Sequence, residues 1–227
     1  MNIGGLQKTS LIDYPGKISA IIFTQGCNLK CGYCHNPELV NMQNPSIDTQ
    51  YVLEFLKTRI NKLDAVVISG GEPTIQSDLE EFAQNIKSMG FLLKLDTNGT
   101  NPQLLNKLIK LKLLDYVAMD IKAPLYKYRH ITNKKCNTSD IVKSIDTIIN
   151  SGVDYEFRTT VVKSQLILDD FREIGIMLKS ANKYYLQEFI PSKPLDNSFL
   201  NERSCSKDEF DKIIKILNEY ITGVYLR

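Results

Sequence analysis

Three cysteines within eight residues are the feature of this sequence that most clearly indicates chemistry. Cys27, Cys31 and Cys34 follow a C-x3-C-x2-C spacing in a chain that has 5 cysteines in all. Glycine, asparagine and other loop residues surround them, so the three thiolates can point into one small volume. Soft thiolates favour zinc, copper(I) or iron–sulfur centres. The odd cysteine number and the clustering argue against a disulfide framework.

The spacing is compatible with more than one kind of centre. A zinc site needs a fourth ligand, for which His35 is adjacent, but no second cysteine pair occurs at zinc-finger spacing. Three ligands without an obvious fourth fit a cubane cluster with one open iron. The run Cys31-Gly-Tyr-Cys34-His35 also matches a c-type haem attachment motif, yet residues 1–16 lack the apolar run of an export signal. An iron–sulfur centre is therefore favoured, and structural zinc stays open. Cys136 and Cys205 have no neighbours at metal spacing and are interpreted as incidental thiols.

Alternating strands and helices must position this loop. Apolar, β-branched runs predict strands at 18–24, 64–69, 91–97, 115–121, 155–162 and 184–190, and helical spacing predicts helices at 49–60, 76–89, 102–113, 139–150, 169–181 and 207–220. Strands joined by crossover helices run parallel, which indicates an α/β fold. Periodicity alone leaves open either a doubly wound sheet or an incomplete (β/α) barrel. Both folds bind ligands at the carboxyl ends of their strands.

Polar motifs occur where the predicted strands end. They are Ser69-Gly70-Gly71-Glu72-Pro73-Thr74 after the second strand, Asp96-Thr97-Asn98-Gly99 after the third, and Asp120-Ile121-Lys122 after the fourth. We expect them to meet the cysteine loop on one face of the sheet. The two glycines could let the backbone approach a ligand, and Glu72 could accept hydrogen bonds from an ammonium group. An ordinary strand-to-helix turn is the alternative interpretation.

Overall composition gives little further indication of a partner. The chain has 227 residues, 43% hydrophobic, with a formal net charge of +2, so no strong global field favours nucleic acid or membrane. No stretch approaches the length of a membrane span, and we expect a cytoplasmic protein. Residues 126–138 are the most basic and least patterned, which predicts a solvated loop, with partner docking as the alternative.

The motifs together resemble those of a known family. The hallmark of the radical S-adenosylmethionine (SAM) superfamily, C-x3-C-x-aromatic-C, is matched by the three cysteines with Tyr33. The segment from Thr9 to Lys17 and the run Cys34-His35-Asn36-Pro37 resemble the branch that activates glycyl radical enzymes, including anaerobic ribonucleotide reductase and pyruvate formate-lyase. The resemblance covers the whole chain. It implies one domain with an incomplete (β/α)6 TIM-type barrel: a lead-in at 1–17, six β/α units at 18–190, and a C-terminal loop and helix at 191–227.

The resemblance also implies a reaction. Cys27, Cys31 and Cys34 would hold a [4Fe–4S] cluster whose fourth iron is chelated by SAM. An electron from a flavodoxin- or ferredoxin-type donor would cleave SAM, and the 5′-deoxyadenosyl radical would take a glycine Cα hydrogen from a partner enzyme, anaerobic ribonucleotide reductase being the expected type. Two alternatives are a small-molecule enzyme of the 7-carboxy-7-deazaguanine synthase type and a non-catalytic zinc or iron–sulfur module.

The remaining cofactor-binding residues follow from the same resemblance. Tyr33 is expected near the cluster and adenine, and His35 as a structural hydrogen-bonding group. The other expected contacts of SAM are Gly70, Gly71, Glu72, Asp96, Asp120, Lys122 and Arg158. Among these, Gly70 to Glu72 would bind the methionine amino group and Lys122 the carboxylate. A monovalent cation beside the two aspartates is also implied. The sixth strand lacks the family's histidine, with Gln187 or Glu188 in that region.

Overall fold

A sheet of eight strands organises the computed structural model, which describes residues 1–227. The strands follow one another across the sheet in chain order: β1 (Ile3–Ser10), β2 (Ser19–Thr24), β3 (Ala65–Gly70), β4 (Leu92–Thr97), β5 (Tyr116–Asp120), β6 (Asp154–Val161), β7 (Tyr184–Glu188) and β8 (Val224–Leu226). β1 pairs antiparallel with β2, and every later pair is parallel. The sheet is not closed, because β1 and β8 form its two edges.

The helices are α1 (Pro37–Val40), α2 (Thr49–Lys57), α3 (Leu79–Ser88), α4 (Pro102–Lys110), α5 (Tyr128–Thr132), α6 (Thr138–Ile149), α7 (Leu168–Met177) and α8 (Lys207–Leu217). Their apolar faces and one face of the sheet form a core of 47 buried residues. The helix predicted from residue 102 does begin at Pro102, where the Asn101 side chain caps it by accepting a hydrogen bond from the Leu104 N–H at 3.2 Å.

The strand order decides between the two folds that periodicity left open. A doubly wound sheet reverses its strand order at a switch point. Here β2 to β8 advance in one direction without reversal, as in a (β/α) barrel that stops before closing. The six predicted strands and six predicted helices all occur, each with boundaries shifted by only a few residues.

Two edge strands and two short helices were not predicted. β1 carries two glycines and several polar residues, so it has no apolar run to mark it. β8 has only three residues and follows directly on the turn after α8. The lead-in at 1–17 therefore contains a strand, and the C-terminal part at 191–227 contains a strand besides its loop and helix.

The basic stretch at 126–138 is more ordered than the solvated loop that was expected. A 3-10 turn at Leu125–Lys127 leads directly into α5. Lys127 binds Asp170 at 2.6 Å, and the Tyr126 hydroxyl also donates to that fully buried carboxylate. Lysine and tyrosine therefore serve as structural partners that tie the start of this stretch to α7.

Candidate active site

One cavity at the carboxyl ends of the parallel strands collects the predicted site. It has a volume of about 980 Å³, counted to its open mouth. All twelve predicted site residues line it: Cys27, Cys31, Tyr33, Cys34, His35, Gly70, Gly71, Glu72, Asp96, Asp120, Lys122 and Arg158. Such convergence is expected because the ends of neighbouring parallel strands meet at one edge of the sheet. Cys136 and Cys205 lie outside the cavity.

The cysteine loop is anchored from two other parts of the chain. The Lys30 N–H donates to the Thr132 carbonyl at 2.8 Å, and the Leu195 N–H donates to the Cys34 carbonyl at 3.0 Å. All three cysteines are free thiols, and Cys31 is buried. Burial raises the pKa of Cys27 to about 12 and also raises the pKa of Cys31. Thiolates in this loop therefore need a bound cation, and metal coordination deprotonates a thiol.

The donor set fits a polynuclear cluster better than a single ion. Nowhere in the chain do three histidine, cysteine, aspartate or glutamate side chains lie close enough to share one metal ion. The three thiols nevertheless line the same cavity, where a cluster of several iron atoms could reach all of them. Beside them the Tyr33 hydroxyl is buried with no hydrogen-bond partner. A single tetrahedral zinc ion would need the thiols much closer together.

The two glycines of the Gly-Gly-Glu-Pro motif are required by a close approach of backbone to backbone. Gly70 has a φ of +113°, a conformation that disfavours a side chain. A Cβ on Gly71 would lie 2.0 Å from the Gly26 carbonyl oxygen. The Gly71 N–H donates to the Thr24 carbonyl and the Glu72 N–H to that of Gly26, each at 2.8 Å. The glycines were expected to let the backbone come close to a ligand. In the structure, the backbone at Gly71 comes close to Gly26, at the start of the cysteine loop.

Glu72 is a buried carboxylate that links the ends of β3 and β4. Its side chain is 1% exposed and accepts hydrogen bonds from the Thr74 and Thr97 hydroxyls at 2.6 and 2.7 Å. The Asn98 N–H binds its other oxygen at 2.7 Å. Burial raises the pKa of Glu72, although these hydrogen bonds act in the opposite direction. Glu72 therefore belongs to an ordinary strand-to-helix turn, which was the alternative interpretation of this motif, and it also lines the cavity.

Gly71→Ala tests the close contact between Gly71 and Gly26. We expect the added methyl group to push the Gly-Gly-Glu-Pro segment away from Gly26, displacing the cysteine loop and lowering cluster content and SAM cleavage by about tenfold or more. The measurement is iron per chain after anaerobic reconstitution, together with 5′-deoxyadenosine formation. Gly5→Ala is the matched control, because its Cβ would meet only the Phe23 ring at 3.2 Å. Equal behaviour of the two variants would contradict the assigned contact.

Arg158 joins the two aspartates of the cavity. Its Nε donates to Asp120 Oδ1 at 2.8 Å, and its Nη1 lies 3.4 Å from Asp96 Oδ2. Burial alone would raise the pKa of Asp120, but Arg158 and then Lys122 outweigh it and lower that pKa to about 2. Asp96 has a lowered pKa for the same reason, with Arg158 and Lys94 as its cationic neighbours. A charged side chain within an apolar strand needs a partner of opposite charge. For Arg158 that partner is the pair of carboxylates of Asp96 and Asp120.

The two aspartates have little free capacity for a monovalent cation. Lys122 Nζ donates to Asp120 Oδ2 at 3.1 Å, while Arg158 takes the other oxygen of that group. Asp96 faces Lys94 at 3.2 Å on one oxygen and the Ser69 hydroxyl at 3.0 Å on the other. Asp96 Oδ1 is buried and accepts no hydrogen bond, however, so the monovalent cation stays a prediction.

Asp120 predicts a pH dependence of stability. Its folded-state pKa of about 2 lies below the ordinary value of 3.8, so this stabilisation is complete above about pH 4 to 5 and is lost as the pH falls toward 2. We expect the free energy of unfolding of the cluster-free chain to fall by about 2 kcal/mol over that range from this group. Urea unfolding at several pH values measures it. Asp120→Asn should show a smaller decrease, and an unchanged decrease would contradict the assignment.

His35 and several unpredicted residues complete the lining. His35 Nε2 lies 2.8 Å from the Ile190 carbonyl oxygen, and its ring stacks on Phe189 with centroids 5.3 Å apart. These contacts support the structural hydrogen-bonding role predicted for His35. The lining residues not assigned a site role from the sequence are Leu29, Asn36, Val40, Ser69, Thr97, Asn98, Thr160 and Gln187. Strand alternation could have identified Thr160, which lies two positions after Arg158 on β6.

Comparison with known proteins shows to which family the chain belongs. A sequence profile described as the radical SAM superfamily matches residues 21–175. The chain belongs to the radical SAM superfamily. Its cofactors are accordingly a [4Fe–4S] cluster and SAM. A radical SAM fold also explains why the sheet winds like a barrel without closing.

Two relatives that match this chain along nearly its whole length are named as activating enzymes. A protein of Methanocaldococcus jannaschii, named as a candidate glycyl-radical enzyme activating enzyme, is 37% identical over 99% of this chain and 95% of its own. The pyruvate formate-lyase-activating enzyme of Clostridium pasteurianum is 27% identical over 96% of this chain and 98% of its own.

A solved structure of similar fold contains SAM. The crystal structure of Streptococcus suis SuiB bound to S-adenosylmethionine superposes with a TM-score of 0.67 at 14% identity, over 91% of this chain. The present chain spans about half of SuiB, 49% of its length. At this identity the similarity concerns the fold.

None of the helices combines the length and the apolar character that a membrane-spanning helix needs.

Proposed function

We propose that this protein is a glycyl radical enzyme activase. The observation that carries the proposal is the similarity to activating enzymes along the whole chain, joined to a cavity in which three free thiols meet a polar site. The same length of match supports a single domain over residues 1–227. An anaerobic ribonucleotide reductase is the partner we propose, on the resemblance of the lead-in segment from Thr9 to Lys17.

The cysteine loop would hold the cluster. Cys27, Cys31 and Cys34 are its three ligands, and the Asn98 side-chain amide, 3.9 Å from Cys27 Sγ, can donate to the bound sulfur. When bound, the reduced cluster supplies the electron that cleaves SAM, giving the deoxyadenosyl radical that removes the glycine hydrogen. The Tyr33 ring is buried, with 4% of its surface exposed, and it would help to exclude water from the cysteine loop.

The strand ends would hold SAM. Lys122 is the cation best placed for the methionine carboxylate, because Asp120 raises the pKa of Lys122 against the effect of its burial and so keeps it charged. Glu72 Oε2 has one donor, Asn98, and so keeps acceptor capacity for the amino group. Arg158 fixes Asp96 and Asp120 in position, so that the polar side of the cavity is preorganised before SAM arrives.

The first test is SAM cleavage. The anaerobically reconstituted protein, reduced by photoreduced deazaflavin, should produce 5′-deoxyadenosine and methionine in equal amounts. An intact cluster without product would contradict the enzymatic function and support a non-catalytic module.

The second test is transfer of the radical to a protein. Each glycyl radical enzyme encoded in the same genome is incubated with the reduced activase and SAM, and electron paramagnetic resonance should show a glycyl doublet on one of them. The matched control replaces the acceptor glycine of that partner with alanine. Product formation without a doublet on any candidate would favour the small-molecule alternative, and a doublet on another enzyme would replace the proposed ribonucleotide reductase.

A further inference from the structure

Four cations without acidic partners lie in the cysteine loop and in the segment around α5 that is hydrogen-bonded to it. We name Lys30, Arg129, Lys134 and Lys135 the basic patch. The last three side chains are exposed, and none of the four is within ion-pair distance of a carboxylate. Residues 121–139 contain no aspartate or glutamate at all. The patch is therefore a local positive field on a chain whose net charge is only +2.

The backbone holds the basic patch against the cysteine loop. The Lys30 N–H donates to the Thr132 carbonyl at 2.8 Å, and Asn133 Nδ2 donates to the Lys30 carbonyl at 3.2 Å. Asn133 ends α5 with a φ of +51°, which turns the chain toward Lys134. Lys30 immediately precedes Cys31. One residue of the patch is thus the neighbour of a predicted cluster ligand, and the segment that carries the other three is hydrogen-bonded to that residue.

The position of the patch distinguishes the kind of partner that it fits. None of its four residues lines the cavity. A macromolecule whose glycine must react with the radical has to reach into the cavity, whereas a protein that only delivers an electron needs to approach the cluster from outside. Exposed, unpaired cations also fit a transient encounter, because surface charges mainly raise the association rate and are screened by salt.

We infer that the basic patch docks a small electron-carrier protein with an acidic surface. This inference rests on the proposed function, which requires an electron for each SAM cleaved. One electron leaves the reduced carrier, which is oxidised, and enters the cluster, which is reduced; no bond or proton moves in that step. The Lys30 N–H to Thr132 carbonyl hydrogen bond joins the segment that carries the patch to the residue that precedes Cys31.

Charge reversal tests the docking surface. The variant Arg129→Glu/Lys134→Glu/Lys135→Glu is compared with Lys62→Glu/Lys110→Glu/Lys179→Glu. The control reverses three exposed lysines at or just after the C-terminal ends of α2, α4 and α7, at the opposite end of the sheet. The probes are purified flavodoxin and purified ferredoxin. We expect the patch variant to bind the carrier about tenfold or more weakly at low salt, with a reduced salt dependence, while the control triple keeps wild-type affinity.

Cluster reduction gives the second readout. The patch variant should be reduced slowly by the carrier but at the wild-type rate by photoreduced deazaflavin, with normal SAM cleavage. Failure of wild-type SAM cleavage under deazaflavin would contradict the proposed function itself. Normal cleavage with equal carrier affinity in both variants, or no carrier binding by the wild type, would overturn only the docking inference. A loss confined to binding of the glycyl radical partner would assign the patch to that partner instead.

Discussion

Cys31→Ala is expected to abolish both cluster assembly and SAM cleavage. Cys31 is the most buried of the three thiols that line the cavity. Its removal leaves two thiolates in a loop where burial opposes the free thiolate, so the remaining ligands cannot hold the cluster. The brown colour, the iron and sulfide content, and 5′-deoxyadenosine formation should all fall to the level of a protein that was not reconstituted.

Cys136→Ala is the matched control for this variant. Cys136 is also a free, partly buried cysteine, but it lies outside the cavity. We expect it to keep full cluster content and activity, which separates the loss of a ligand from the general effect of removing a thiol. Full activity in Cys31→Ala, or equal losses in both variants, would contradict the ligand assignment.

The cavity could be predicted from the sequence because its residues follow strongly patterned strands. The apolar runs ending at Thr24, near Ser69 and at Thr97 fix where β2, β3 and β4 stop, and the motifs follow directly. Parallel strands bring their ends to one edge whatever the details of packing. The placement of all twelve predicted site residues therefore depends only on strand direction, which alternation with helices determines.

What could not be predicted depends on contacts between distant segments. The pairing of Arg158 with both aspartates joins β4, β5 and β6, and no local pattern indicates which acids a buried arginine will meet. Gly71 lies against Gly26 because two loops cross there, a contact 45 residues apart in the chain. β1 was missed because edge pairing to β2 stabilises a glycine-containing segment with weak strand propensity.

Arg158→Leu is expected to have the largest effect on stability among the charged residues of the cavity. Leucine preserves much of the side-chain volume but leaves the Asp96 and Asp120 carboxylates in a buried site without their shared cation. Breaking a buried ion pair from one side costs about 3–5 kcal/mol. We expect the free energy of unfolding at pH 7 to fall by about 3 kcal/mol, the lower end of that range because Lys94 and Lys122 remain, and the pKa values of both aspartates to rise. SAM binding to the reconstituted protein should weaken in parallel, because the preorganised polar side of the cavity is lost.

Two further variants separate charge from geometry at this position. Arg158→Lys keeps the positive charge but cannot present nitrogens to two carboxylates in one plane, so it should recover only part of the stability and SAM affinity. Arg172→Leu removes an exposed arginine that pairs with Asp169 at 3.0 Å one helical turn away, and should cost at most about 0.5 kcal/mol. Because Lys94 and Lys122 remain, the aspartates stay partly compensated in every variant. If urea unfolding finds Arg158→Leu as stable as Arg172→Leu, the arginine does not hold the two aspartates together.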